Sequence, residues 1–303
     1  MAADMELLRE LQLVNLRTLK KLDEVCRKYD IRYWAAFGTL IGAIRHKGFI
    51  PWDDDLDVCM MREDFEKLCK VPEEEWGPDC CFCSPSSPEE YHDRFFGRVY
   101  IKDSQIQSYV DVENWRNWSD GKSWSTKMMC DIFVWDYVPD DDAEYEKLHD
   151  QLKEIEHKDY KWVKCKAYTA SRNPLKIAKT AAKIARGSYL RSKYKEPWKY
   201  LDWKVQNIIR QHPAGDRIGC YNTYLHHIYE YDDVFPLTTA QFEDMEVPVP
   251  AKWDKLLTQD YGDYMTPPPE SDRVHINFLY MDMGDGRKYV LDPVKGSLGD
   301  PNR

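Results

Sequence analysis

The sequence predicts an α/β fold, a mixed sheet core with flanking helices that carries a helical, basic insertion. Three observations lead there. An amphipathic pattern at helical spacing opens the chain over residues 4–28, and short apolar segments bounded by Gly and Pro follow, notably residues 31–37 and 129–138. A long helical pattern over residues 143–212 then reverses the charge of the rest. At 303 residues the chain can bury one large core or two small ones. Hydrophobic residues at 43% and aromatics at 14%, with 11 Trp and 20 Tyr, mark a globular protein with many flat faces for packing or stacking.

Taken in order, Leu7, Leu11, Val14, Thr18, Leu22 and Val25 line one face of the opening helix. A short strand over residues 31–37 runs into Gly38-Thr39, and Thr39 is placed to cap a helix over residues 40–46. A helix start beside a glycine suits a phosphate. Gly48 and Pro51 turn the chain into an acidic strand over residues 53–58. Residues 62–70 read as a helix, and residues 95–101 and 106–112 as two strands around a turn at Asp103-Ser104. The strand over residues 129–138 stops at Pro139. Beyond the helical block, residues 218–221 and 242–249 read as strands and residues 253–257 as a short helix. The last 20 residues, rich in Gly, Asp and Pro, predict loose order.

The net charge of -10 excludes nucleic acid as the main partner, because phosphate binding shows as a basic balance. Locally the sign inverts, with 13 Lys and Arg against Asp159 and Glu196 between Lys158 and Lys199. Lys176, Lys179, Lys183 and Arg186 form a basic stripe at spacings of 3, 4 and 3. A stripe of this kind either grips an anionic polymer or lipid-linked acceptor at a membrane surface, or is a solvated helix face. Nine scattered cysteines read as reduced thiols. No leader-like or membrane-spanning run occurs, which predicts a cytoplasmic protein, in peripheral contact with the inner face of the membrane if the stripe binds lipid.

The chemistry-bearing stretch is Asp53-Asp54-Asp55-Leu56-Asp57. On a strand, Asp53, Asp55 and Asp57 share one face about 7 Å apart, where they repel one another and where a hard cation such as Mg²⁺, or Mn²⁺, relieves the repulsion. The plainer reading is an acidic loop on an acidic protein. A calcium loop is excluded, since Val58 stands where glycine is needed and Asp64 where glutamate is needed. Asp131, a carboxylate inside an apolar strand, is costly unless paired or metal-bound and is expected beside the acidic row. Asp55, Asp57 and Asp131 would hold the metal that bridges donor phosphates, Asp131 also being suited to take a proton, while Arg45 and Lys47 hold remaining phosphate oxygens. Trp115, Trp118 and Trp124 lie in a polar segment and read either as an aromatic cage for a quaternary ammonium group or as rings folded over a sheet edge.

Residues 37–58, running from Phe37-Gly38-Thr39 to Asp55-Leu56-Asp57-Val58, closely resemble the signature of the LicD family of phosphorylcholine transferases. Asp131-Ile132-Phe133, Phe235-Pro236-Leu237 and Tyr261-Gly262-Asp263-Tyr264-Met265 extend the resemblance, which covers roughly residues 5–275. It implies a nucleotidyltransferase-like fold and Mg²⁺-dependent transfer of phosphocholine from CDP-choline to a sugar hydroxyl of a cell-surface glycan or its lipid-linked precursor. It places metal carboxylates at Asp53, Asp55, Asp57 and Asp131. Ribitol or glycerol phosphate transfer and non-catalytic nucleotide binding stay open at this point. The expected organisation is a catalytic core over residues 1–139, a basic helical insertion over 140–215, and a C-terminal part over 216–303 that completes the core.

Overall fold

The computed structural model describes residues 2–85, 87, 96–108, 127–155, 173–211, 215–221, 227–270, 273, 278–292 and 297–299. Its centre is a seven-stranded mixed sheet, as the α/β expectation requires. The spine is β6 (Met129–Val138), with β2 (Asp57–Met61) parallel along one edge. The opposite edge is divided between β4 (Gly97–Ile101) and β7 (Arg217–Cys220), both antiparallel. Register shows the division: Asp131 pairs with both Asp57 and Arg98, and Trp135 with both Met61 and Cys220. β1 (Trp34–Ala35), β3 (Cys80–Cys83) and β8 (Ile228–Glu230) complete the margins.

The strand period of two sorts the core into separate clusters. Val58, Met60, Ile132 and Val134 face α1 (Ala2–Lys28), whose Leu11, Leu19 and Leu22 are wholly buried. Each of those leucines contributes roughly 1.5–3 kcal/mol by leaving water. Cys59, Met61, Phe133 and Trp135 point the other way, onto Trp34, Phe37, Phe235 and Leu256. By the same alternation Asp57 and Asp131 stand on this second face. A third cluster joins α4 (Asp142–Glu154), α5 (Pro174–Lys193) and α6 (Pro197–Ile209) through Tyr145, Leu148, Leu190, Leu201 and Val205. The remaining helices are α2 (Phe37–Ile41), α3 (Arg62–Leu68), α7 (Tyr231–Val234) and α8 (Trp253–Tyr261).

Four expectations need correction. The strands near residues 95–112 do not pair with each other: β4 has both edges taken by β3 and β6, so β5 (Ser104–Ser108) leaves for a second sheet and pairs β11 (Phe278–Met283). Among the described residues of the C-terminal stretch expected to be loose, β12 (Lys288–Asp292) and β13 (Ser297–Gly299) extend that sheet, while residues 293–296 and 300–303 lie outside the described residues. The single strand over residues 242–249 is instead a hairpin of β9 (Thr238–Phe242) and β10 (Met245–Val249). The helix placed at 40–46 starts earlier: α2 begins at Phe37 after Ala36 in extended geometry, and Gly42–His46 continue it as a π-helical turn. Thr39 is therefore inside α2 and caps nothing.

Candidate active site

The acidic segment is not a strand before Asp57. Gln12 Nε2 donates to the Ile50 and Asp53 carbonyls at 3.1 and 2.8 Å, and Asn15 Nδ2 to the Asp54 carbonyl at 2.7 Å. Carbonyls bound to buried side chains are withdrawn from a ladder, so the chain bends there and alternation does not sort the carboxylates. Asp53, Asp54 and Asp55 instead bring carboxylate oxygens within 4.8 Å of one another. Asn15 Oδ1 also accepts from the Met129 amide at 3.0 Å, which fixes the acidic segment to the start of β6.

Asp57, Asp131 and Arg98 stand side by side on neighbouring strands, since residues directly paired across a sheet share a face. Arg98 Nε donates to Asp131 Oδ1 at 2.6 Å and Nη2 to Oδ2 at 3.5 Å, and its guanidinium lies 4.9 Å from the centre of the Phe96 ring. Asp131 is thus beside the acidic group, as expected, with a cation on its far side. Thr39 Oγ1 accepts the Asp57 amide at 2.8 Å and so pins the first residue of β2. Gly38 serves the same group differently: a Cβ there would lie 2.5 Å from Asp53 Oδ2. The contacts of Gly38 and Thr39 are with the acidic segment, and α2, five residues long, is too short to offer an anion site of its own.

The crowding is electrostatically unfavourable by itself. Withdrawal from water and the charge of Asp54 push the Asp53 carboxyl up to about 6. Withdrawal from water, then Asp53 and Asp131, push Asp55 up to about 8, although part of Asp55 stays open to solvent. Asp57, surrounded by protein and facing Asp55 and Asp131, is pushed well above the carboxylate range. An all-oxygen, anionic donor set whose members repel one another fits a hard divalent cation. Tyr261, at the end of α8, lies within reach of the same field: the residue is partly open to solvent, but its phenol is raised by withdrawal from water and by Asp260, Asp57 and Asp53.

Trp52 directly precedes Asp53 in the chain. The Arg45 guanidinium lies 6.0 Å from its ring centre, and that of Arg273 4.3 Å. Arg45 Nε donates to His46 Nε2 at 2.9 Å, and Nη1 donates to the Tyr264 carbonyl. Burial and the Arg45 charge lower the His46 pKa, which keeps the ring a neutral acceptor. Lys47 is exposed and holds a left-handed backbone, and its carbonyl accepts from the Glu243 amide at 2.8 Å. The Glu243 side chain fills the space over Gly48, accepting from Phe49 N at 3.1 Å and bonding Arg9. Lys179 and Arg186 are exposed and Lys183 half-buried on α5, which packs in the third cluster and not among the acids. Trp115, Trp118, Trp124 and the side chain of Lys176 lie outside the described residues.

Residues 30–158 match the family described as LicD/FKTN/FKRP, nucleotidyltransferase domain. Over these residues the chain is similar to the LicD family. The matched span holds the acidic segment, Asp131 and Arg98 together, so the family domain contains the carboxylate group just described. The chain is similar to the lipopolysaccharide cholinephosphotransferase LicD of Haemophilus influenzae, at 29% identity over 282 residues, 90% of this chain and 98% of that protein. It also resembles two uncharacterised proteins, of Rickettsia prowazekii and Rickettsia typhi. Each is 52% identical over 46 residues, 15% of this chain and 17% and 15% of those proteins.

Sequence reasoning missed Gln12, Asn15, Arg98, Glu243 and Arg273. A signal existed for the first two, because amides at positions 12 and 15 interrupt the apolar face of the opening helix. The geometry at Gly38 yields a direct test. In Gly38→Ala the new methyl meets the end of a flexible side chain, so the fold survives while the Asp53 carboxylate moves. Affinity for Mg²⁺ or Mn²⁺ in a calorimetric titration is expected to fall about ten- to hundredfold with little change in melting temperature. Unchanged affinity would remove Asp53 from the ligand set.

The raised carboxyls also set a pH dependence. Their folded values lie above the unfolded value of about 3.9, so the folded state binds more protons in between. The stability they contribute is therefore complete below about pH 4 and is lost as pH rises through about 6 and 8. In EDTA the melting temperature is expected to fall across that window, and added Mg²⁺ to restore more of it at pH 8 than at pH 5. An equal Mg²⁺ effect at both would contradict the assignment.

Proposed function

We propose that the chain is a Mg²⁺-dependent phosphotransferase that moves phosphocholine from CDP-choline to a sugar hydroxyl of a cell-surface glycan or its lipid-linked precursor. The observation that carries the reading is the in-register placement of Asp57 and Asp131 on parallel strands, with Asp53 and Asp55 gathered at the entry to β2. Such a group costs folding energy and gains a purpose with a divalent cation on the phosphates of a nucleotide donor. Asp53, Asp55, Asp57 and Asp131 would hold Mg²⁺ or Mn²⁺, whose chemistry there is to neutralise phosphate charge. Arg98 donates to Asp131 and holds its carboxylate in place as a ligand or proton acceptor; strong base assistance is not required where the transition state is loose. Thr39, Gln12 and Asn15 fix the backbone that carries these groups.

Choline as the transferred alcohol rests on the likeness to the Haemophilus influenzae enzyme, supported by the three tryptophans of residues 115–124. The basic face of α5, with Lys179, Lys183 and Arg186 beside exposed Leu175 and Tyr189, suits an anionic acceptor at the inner face of the membrane. No helix among the described residues is long and apolar enough to cross a membrane, so such contact would be peripheral. The experiment is release of CMP from CDP-choline, CDP-ribitol and CDP-glycerol with Mg²⁺, against lipopolysaccharide stripped of phosphocholine. Preference for CDP-choline is expected, and a preference for either polyol donor would overturn the choice of alcohol.

A further inference from the structure

Arginines of this protein meet carboxylates, whether exposed or buried: Arg9 with Glu243, Arg32 with Asp64, Arg62 with Asp136, Arg98 with Asp131. That is the expected pattern in a chain with 53 acidic and 43 basic residues. Arg45 and Arg273 depart from it. Both guanidiniums approach the ring of Trp52, yet among the described residues neither has a carboxylate partner. Their acceptors are uncharged: the His46 ring and the Tyr264 carbonyl for Arg45, and the Pro268 carbonyl, at 3.2 Å, for Arg273. A guanidinium carries five N–H donors, so most of each fork is left over.

Two adjacent, half-buried cations with spare donors repel each other, and a fold keeps such an arrangement only where something offsets it. The repulsion is visible at Arg45, whose pKa is lowered by burial and by Arg273. The parts come from distant segments: Arg45 from the turn after α2, Arg273 from the stretch after Pro267-Pro268-Pro269, and Trp52 from the residue before Asp53. The acids thus begin one residue beyond the ring on which the cations sit.

We propose that Arg45 and Arg273, seated on Trp52, form a clamp for a phosphate of the nucleotide donor, at the ring that directly precedes Asp53 in the chain. The donor's identity rests on the function proposed above; the clamp itself requires only a diphosphate. Two half-buried guanidiniums with donors to spare suit the oxygens of a phosphate, and Trp52, next to Asp53 in the chain, ties them to the acidic segment.

The test is calorimetric titration of inorganic pyrophosphate and of CDP into the full chain in EDTA, for wild type, R45Q, R273Q, R273K and a control, R287Q, whose arginine is paired with Asp285. R273Q is expected to weaken pyrophosphate binding about ten- to hundredfold, and R273K less, because charge remains but the fork is lost. R287Q should match wild type. The melting temperature of R273Q should hold or rise, since one of two like charges is gone; a merely structural arginine would lower it. Absence of pyrophosphate binding by wild type, or equal binding by wild type, R45Q and R273Q, overturns the clamp. If R273Q loses pyrophosphate while no CDP-alcohol is turned over by wild type, the clamp stands and the transferase reading falls. If CDP-choline is turned over by R273Q with an unchanged KM, the reverse holds.

Discussion

Asp55→Asn is expected to lower phosphocholine transfer on the order of a thousandfold while the metal-free protein melts no lower than wild type. The first half follows from removing one anionic ligand from a set that supplies several kcal/mol of transition-state charge stabilisation. The second half follows from the crowding: with burial first, then Asp53 and Asp131, holding the Asp55 carboxyl up at about 8, folding near neutral pH must take up a proton or bear the charge, and an uncharged amide of the same shape removes that opposition. Activity and stability should therefore move in opposite directions, the signature of a functional charge. The pair of measurements is CMP release at saturating donor and a thermal melt in EDTA. Full activity would sink the metal assignment. A melting loss of the size seen for a truncated core leucine would mean that Asp55 is structural.

The parts of this site that could be read from the sequence are those held by short spacing. Four aspartates in five positions and a carboxylate amid Ile132, Phe133 and Val134 are local anomalies, and the register Asp57↔Asp131 joins them as expected. What the pattern misled about was geometry. Alternation predicted a strand from Asp53, whereas Gln12 and Asn15, roughly forty positions upstream, take the carbonyls that a ladder would need. No window of sequence around the aspartates contains that information. Arg98 is a similar case, since its pairing with Asp131 depends on which strand β4 chooses as its neighbour.

The fold shows the same division. The helix over residues 4–28 and the strand over 129–138 follow from periodicity alone. The departure of β5 to β11 does not, because the competition is between sheet edges far apart in sequence and β4 has none left. Arg273 belongs with these. A single arginine after three prolines carries no motif, and only tertiary structure sets it on Trp52.

Arg98→Met should be the most damaging single change to the site's scaffold. Arg98 and Asp131 are largely buried, at 8% and 17% side-chain exposure, and Asp57 stands on the other side of Asp131. Removing the cation leaves the Asp131 carboxylate without compensation, beside the crowded Asp57 carboxyl and with little water. Breaking one partner out of a buried pair costs about 3–5 kcal/mol, which in a chain of this size lowers the melting temperature on the order of 10 °C. The loss should be charge-specific. Arg98→Met combined with Asp131→Leu replaces the pair by apolar groups and should recover most of the melting temperature without recovering transfer. Added Mg²⁺ should stabilise the single variant more than wild type, because uncompensated negative charge is what the single variant has in excess. If instead the single variant melts like wild type in EDTA, Asp131 does not depend on Arg98, and the reading of Asp57, Asp131 and Arg98 as one electrostatic row across three strands would have to be given up.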